Sequence, residues 1–124
     1  MTSLTTNSGP PKRGEVWLVN FDPTLGSEIK KTRPAIVISS DAVGKLPVKL
    51  VAPVTDWKPY FAKNIWHVKL EPNVNNGLSK PSAVDALQLR GVDLRRFVRR
   101  LGYISEKTMA AIAIAVVTVI EADI

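Results

Sequence analysis

The stretch Glu15-Val16-Trp17-Leu18-Val19-Asn20-Phe21, stopped by Asp22-Pro23-Thr24 and resumed as Arg33-Pro34-Ala35-Ile36-Val37-Ile38-Ser39, decides the fold class. β-Branched and aromatic residues fill both runs and turn formers bound them, which reads as two strands rather than a helix. Pro34 falls near the start of the second run, where a missing ladder donor is tolerated. The loop between the runs carries Pro23, Gly26 and the Lys30-Lys31 pair, and polar loops of this length often bear function. Working outward, a third strand is expected over 48 to 55, interrupted by Pro53, and a fourth, clearly alternating, over 65 to 70. An aromatic loop, 57 to 61, separates them. Turn chemistry at Asn75-Asn76-Gly77 precedes a fifth strand over 82 to 89, and a short sixth is expected over 97 to 104. Ser105 is a good N-cap, and Met109, Ile112, Ala113, Val116 and Ile120 recur at helical spacing, so a C-terminal helix follows. The β-branching of Ile112, Ile114, Val116, Val117 and Val119 leaves a terminal strand as the rival. Short strands without βαβ alternation, plus one helix, make a mainly β domain: a small curled antiparallel barrel with a helix against it.

The 124 residues suffice for one domain and no second core. Residues 1 to 12, Ser/Thr/Asn-rich and ending in prolines, read as a flexible leader before a domain spanning 13 to 124. No cysteine is present, which excludes disulfides, thiolate zinc sites and a cysteine nucleophile and suits a reducing cytoplasm. No apolar run approaches the length needed to span a bilayer, so no membrane role is expected. Seventeen Lys and Arg against eleven Asp and Glu give a net charge of +6, which favours polyanionic partners.

Much chemistry is absent. His67 is the sole histidine and reads as an ordinary strand residue, so no histidine acid-base pair exists within one chain. The carboxylates are scattered singly, without spacing that gathers ligands for a divalent ion, and no metal or cofactor is expected. Phosphate-loop and serine-elbow motifs are missing. What remains is Gly26-Ser27-Glu28, Lys30, Lys31 and Arg33 around one loop, with Thr55 at a strand end beside the aromatic loop. An arginine fork with hydroxyl and amide donors can cradle a phosphodiester, and a solvated basic loop has the same composition. Spacing leaves both open. The run Arg90, Arg95, Arg96, Arg99 and Arg100 is either a solvated face or a binding strip for a polyanion.

The segment from Arg13 to Thr24, then Gly26-Ser27-Glu28 and Thr32-Arg33-Pro34-Ala35-Ile36-Val37-Ile38, closely resembles the MazF/PemK (Kid) family of toxin endoribonucleases. Val51-Ala52-Pro53-Val54-Thr55 and Gln88-Leu89-Arg90-Gly91-Val92-Asp93 resemble two further segments of that family in the same order. The resemblance implies an SH3-like barrel, a homodimer, single-stranded RNA as substrate and a cognate antitoxin as partner. It implies Arg33 and Thr55 as catalytic residues and Ser27 and Gln88 at the RNA site. Glu28, Lys30, Lys31, Trp57 and Arg90 are RNA-contact candidates beside them, with Trp57 placed to stack bases. Two departures stand out. Asp85 and Leu87 occupy positions where some relatives carry an arginine and an acid, and Ser27 stands where the Kid branch has histidine, so the general base is left open.

RNA carries its own nucleophile, so such an enzyme orients the 2′-hydroxyl, stabilises the charged intermediate and assists the leaving 5′-oxygen, without a metal. A 2′,3′-cyclic phosphate and a 5′-hydroxyl would result. The rivals are a non-catalytic gyrase poison of the same fold, as in the CcdB proteins, and a silent RNA-binding barrel. CcdB-like chains end in Trp-Gly-Ile, whereas this sequence ends Ala122-Asp123-Ile124.

Overall fold

A computed structural model describes residues 9–123; most of the stretch read as a flexible leader lies outside them. Its last residues pack: Pro11 is fully buried, and the Lys12 amide donates to Glu15 Oε1 at 2.8 Å. Seven strands form one antiparallel sheet: β1 (Glu15–Asn20), β2 (Thr32–Val37), β3 (Val48–Asp56), β4 (His67–Leu70), β5 (Ser82–Asp85), β6 (Arg90–Asp93) and β7 (Phe97–Tyr103). One helix, α1 (Glu106–Val119), follows. The order is β4-β5-β3-β2-β1-β7, with β6 beside β3.

Alternation sorts the strand side chains onto two faces. Val16, Ile36, Ala52, Val54 and Val84 join Met109 and Ile112 of α1 in one core. Trp17, Val19, Ala35, Val37, Val51, Val92 and Phe97 make the other, where Trp17 and Phe97 meet edge-to-face with centroids 5.7 Å apart. Helix wins over strand at the C-terminus because its start is capped and its apolar face covered: Ser105 accepts from the Thr108 amide at 3.1 Å, and Met109, Ile112 and Ala115 are buried. Ile120, expected on that buried face, is exposed because it caps the helix end and the chain turns left-handed at Glu121 (φ 54°).

Two expectations are corrected. The single strand over 82 to 89 is β5 followed by a one-turn 3₁₀ segment, Ala86–Gln88, and β6 was not foreseen. Asp85 breaks the strand by accepting from the Leu87 and Gln88 amides at 3.0 and 3.3 Å. Both strands pair with β3, and Pro53 stands opposite the excursion, where its missing N–H costs no ladder bond. Nor is the barrel closed by strand pairing, since β4 and β7 end the sheet unjoined. The loop after β4 meets β7 instead: the Tyr103 amide donates to Asn75 O at 2.9 Å. A Cβ at Gly102 would lie 2.0 Å from Asn75 O, and one at Gly77 2.3 Å from Leu101 O, so this approach of two backbones requires both glycines.

Candidate functional site

Register brings Arg33 and Thr55 together. Ala35 pairs with Pro53, so two residues further along Arg33 of β2 faces Thr55 of β3, on the same side of the sheet. The Arg33 guanidinium donates from Nη1 to Thr55 Oγ1 at 3.2 Å and from Nε to Lys30 O at 2.9 Å. Two of its five N–H groups are thereby used, and the half-buried side chain is aimed rather than free. The three that remain form a rigid donor set suited to a tetrahedral oxyanion.

The loop between β1 and β2 is a built structure. Lys31 adopts φ 71°, a conformation costly for a side chain with a Cβ, and is held there by its amide on Asp22 Oδ1 (3.0 Å) and its carbonyl on the Phe21 amide (3.0 Å). Glu28 accepts from the Leu25 amide at 2.6 Å. Gln88, reaching from the 3₁₀ turn, accepts from the Ile29 amide at 2.6 Å and donates to Ser27 O at 3.2 Å. Loop and turn enclose a cleft of about 480 Å³ lined by Phe21, Ser27, Glu28, Leu87, Gln88 and Arg90 among others. The Arg90 guanidinium lies 5.6 Å from the Phe21 ring centroid. Arg33, Thr55, Ser27, Glu28, Gln88 and Arg90 thus form one contiguous region, linked through Ile29 and Lys30. The side chains of Lys30 and Lys31 are exposed on its rim.

Trp57 follows Thr55 on the outgoing chain and is half-buried, with Lys69 Nζ 4.9 Å from its ring centroid. Phe61 anchors the aromatic loop: it stacks on His67 at 3.8 Å between centroids and meets Trp57 edge-on at 5.9 Å. The arginine run is mostly engaged internally. Arg95 pairs with Asp93 at 2.9 Å, which holds that carboxyl below its usual range; Arg96 donates to Asn20 O and Asp22 O; Arg100 pairs with Glu15 at 3.1 Å. Arg99 is exposed.

His67 and Asp85, separated by eighteen positions in the sequence, are brought together by the pairing of β4 with β5. His67 Nε2 lies 3.6 Å from Asp85 Oδ2, both side chains nearly inaccessible, while Asn64 Nδ2 sits 3.1 Å from His67 Nδ1. Burial pushes the imidazole below its ordinary value, and the Asp85 carboxylate pulls weakly the other way. One sequence signal was available: Asp85-Ala86-Leu87-Gln88 has the form of a helix-start capping box, which predicts a turn there. Among the described residues no three His, Asp or Glu side chains converge as a metal site.

The sequence model of the PemK-like, MazF-like toxins of type II toxin-antitoxin systems matches residues 12–120. Endoribonuclease MazF9 of Mycobacterium tuberculosis is 32% identical over 105 residues, covering 80% of this chain and 86% of the relative. Endoribonuclease MazF of Staphylococcus saprophyticus is 34% identical over 99 residues, covering 79% and 81%. Among solved structures, MazF from Deinococcus radiodurans matches with a TM-score of 0.73 at 25% identity, over 90% of this chain and 96% of that one. A mycobacterial endoribonuclease solved with its cognate antitoxin shares the fold, with a TM-score of 0.72 at 17% identity over 92% and 98%.

Proposed function

The chain belongs to the PemK-like, MazF-like toxins of type II toxin-antitoxin systems, and from that premise we propose that it is a sequence-specific, metal-independent endoribonuclease acting on single-stranded RNA in the cytoplasm. The observation that carries this reading is the Arg33 guanidinium held between Thr55 Oγ1 and Lys30 O, one residue along the chain from the cleft-lining Ile29. Arg33 clamps the scissile phosphate and stabilises the charge that develops when the 2′-hydroxyl attacks. Thr55, whose hydroxyl accepts from Arg33, keeps its own O–H to donate to a phosphate oxygen or the departing 5′-oxygen. Ser27, Glu28, Gln88 and Arg90 line the base-binding cleft, Lys30 and Lys31 attract the backbone, and Trp57 offers a stacking surface.

A cognate antitoxin with an acidic segment competes for the same cationic rim, and a homodimer covers α1, where Ile114 is 67% exposed. The test is incubation with a long, weakly structured RNA in excess EDTA, with fragment ends mapped. Cleavage is expected to leave 2′,3′-cyclic phosphates and 5′-hydroxyls and to spare DNA of the same sequence. Activity lost in EDTA and restored by magnesium overturns the mechanism; tight RNA binding without cleavage makes the protein a silent RNA-binding domain.

A further inference from the structure

We infer that Asp85 is a positioning residue for the substrate loop, acting through Gln88 and backed by His67. A carboxylate 7% exposed is costly to bury unless its oxygens are used, and here both are committed to different tasks. Oδ1 holds the 86–88 turn by accepting from the Leu87 and Gln88 amides. Oδ2 faces His67 Nε2. Asn64 Nδ2, a donor, sits at Nδ1, which assigns the proton of a neutral ring to Nε2, on the side of the carboxylate 3.6 Å away, and the Phe61 stack restrains the ring.

The turn is what places Gln88. Its side-chain amide then makes the bonds that tie the β1–β2 loop to the rest of the domain across the cleft, to Ile29 N and Ser27 O. The residue after Ile29 supplies the carbonyl that orients Arg33 Nε. A buried aspartate therefore sets the order of a loop it does not itself touch, through one glutamine. On the reading above, that loop is one wall of the RNA cleft, so loosening it weakens substrate binding and relaxes the Lys30 O contact, while the direct Arg33–Thr55 bond still aims the guanidinium. Asp85→Asn keeps an acceptor oxygen for the turn but turns its NH2 toward His67 Nε2, so it holds the latch less firmly than the carboxylate; Asp85→Ala removes it.

Amide hydrogen exchange on the free protein reads the latch without RNA. In Asp85→Ala, and equally in Gln88→Leu, the Ile29 amide is expected to exchange roughly 5- to 10-fold faster, the equilibrium worth of one lost hydrogen bond. The amides of Val16, Ile36 and Ala52 stay protected, and Asp85→Asn falls between Asp85→Ala and the wild type. In steady-state cleavage, Asp85→Ala should raise KM for RNA by a similar factor with kcat within about 3-fold, and Asp85→Asn should restore part of that rise. Ile29 protection unchanged in either Asp85→Ala or Gln88→Leu overturns the inference. Should Asp85→Ala lose core protection, Asp85→Glu, which keeps the charge but moves the oxygen off the turn, takes its place with the same criterion. A wild type that cuts no RNA would sink the functional reading while the exchange result still decides the latch.

Discussion

Replacement of Arg33 separates transition-state stabilisation from fold maintenance. Its guanidinium spends one N–H on Lys30 O and one on Thr55 Oγ1, leaving three for phosphate oxygens. Removing a preorganised donor of this kind typically costs about 10² to 10³ in kcat, or about 2.7 to 4 kcal/mol. A unit charge about 4 Å from an oxyanion at an effective dielectric near 20 gives about 4 kcal/mol, so the upper figure is what charge alone can supply. Arg33→Ala is therefore expected to slow single-turnover cleavage at saturating RNA by at least about 10²-fold. Arg33→Lys keeps the charge but not the fork: an ammonium cannot hold Lys30 O and Thr55 while presenting two parallel donors, so it should fall between the two, about 10- to 10²-fold down. The two bonds lost from the ground state are only partly buried, worth about 1 kcal/mol each, so Arg33→Ala should remain folded with a lowering of Tm by several degrees. Cleavage within about 3-fold of wild type by folded Arg33→Ala would remove the residue from the chemistry.

Reversing the loop charges with Lys30→Glu and Lys31→Glu should weaken both RNA cleavage and antitoxin affinity. If each lysine meets a phosphate, the slope of log affinity for single-stranded RNA against log salt should flatten by roughly 1.4; unchanged antitoxin affinity with RNA binding lost would mean that the two ligands use different surfaces. His67 makes stability pH-dependent. Its folded value lies below 6.5, so the unfolded chain takes up the proton first, and stability should fall as pH drops through the unfolded value, levelling off below the folded one. Denaturant midpoints from pH about 7.5 to about 5.5 should drop more steeply for the wild type than for His67→Gln, and equal slopes would mean that His67 takes no part.

The parts legible in the sequence are those whose signal is local. β1 and β2 declare themselves because Trp17, Val19, Ala35 and Val37 recur at the period of a strand buried on both sides, and Ser105 marks the start of α1 even though the residues after it are poor helix formers. The open sheet was not legible, and a closed barrel was expected instead, because the approach of the two ends rests on Gly77 against Leu101 and Gly102 against Asn75, a contact between loop and strand. The break between β5 and β6 was masked because Val84 to Leu89 reads as a plausible strand by composition, and only the side-chain oxygen of Asp85 converts it to a turn.

The site shows the same division. Arg33 and Thr55 were picked out by resemblance to a family, but what makes them a unit is the pairing of Ala35 with Pro53, a long-range fact that no local window contains. The cleft is still less local, since its walls come from residues 27–29 and 87–90, joined by the side chain of Gln88. Where relatives carry an arginine in place of Asp85, a cation would stand beside His67 and could not accept from the amides of the turn. In this chain the same position is a buried acceptor that holds the turn.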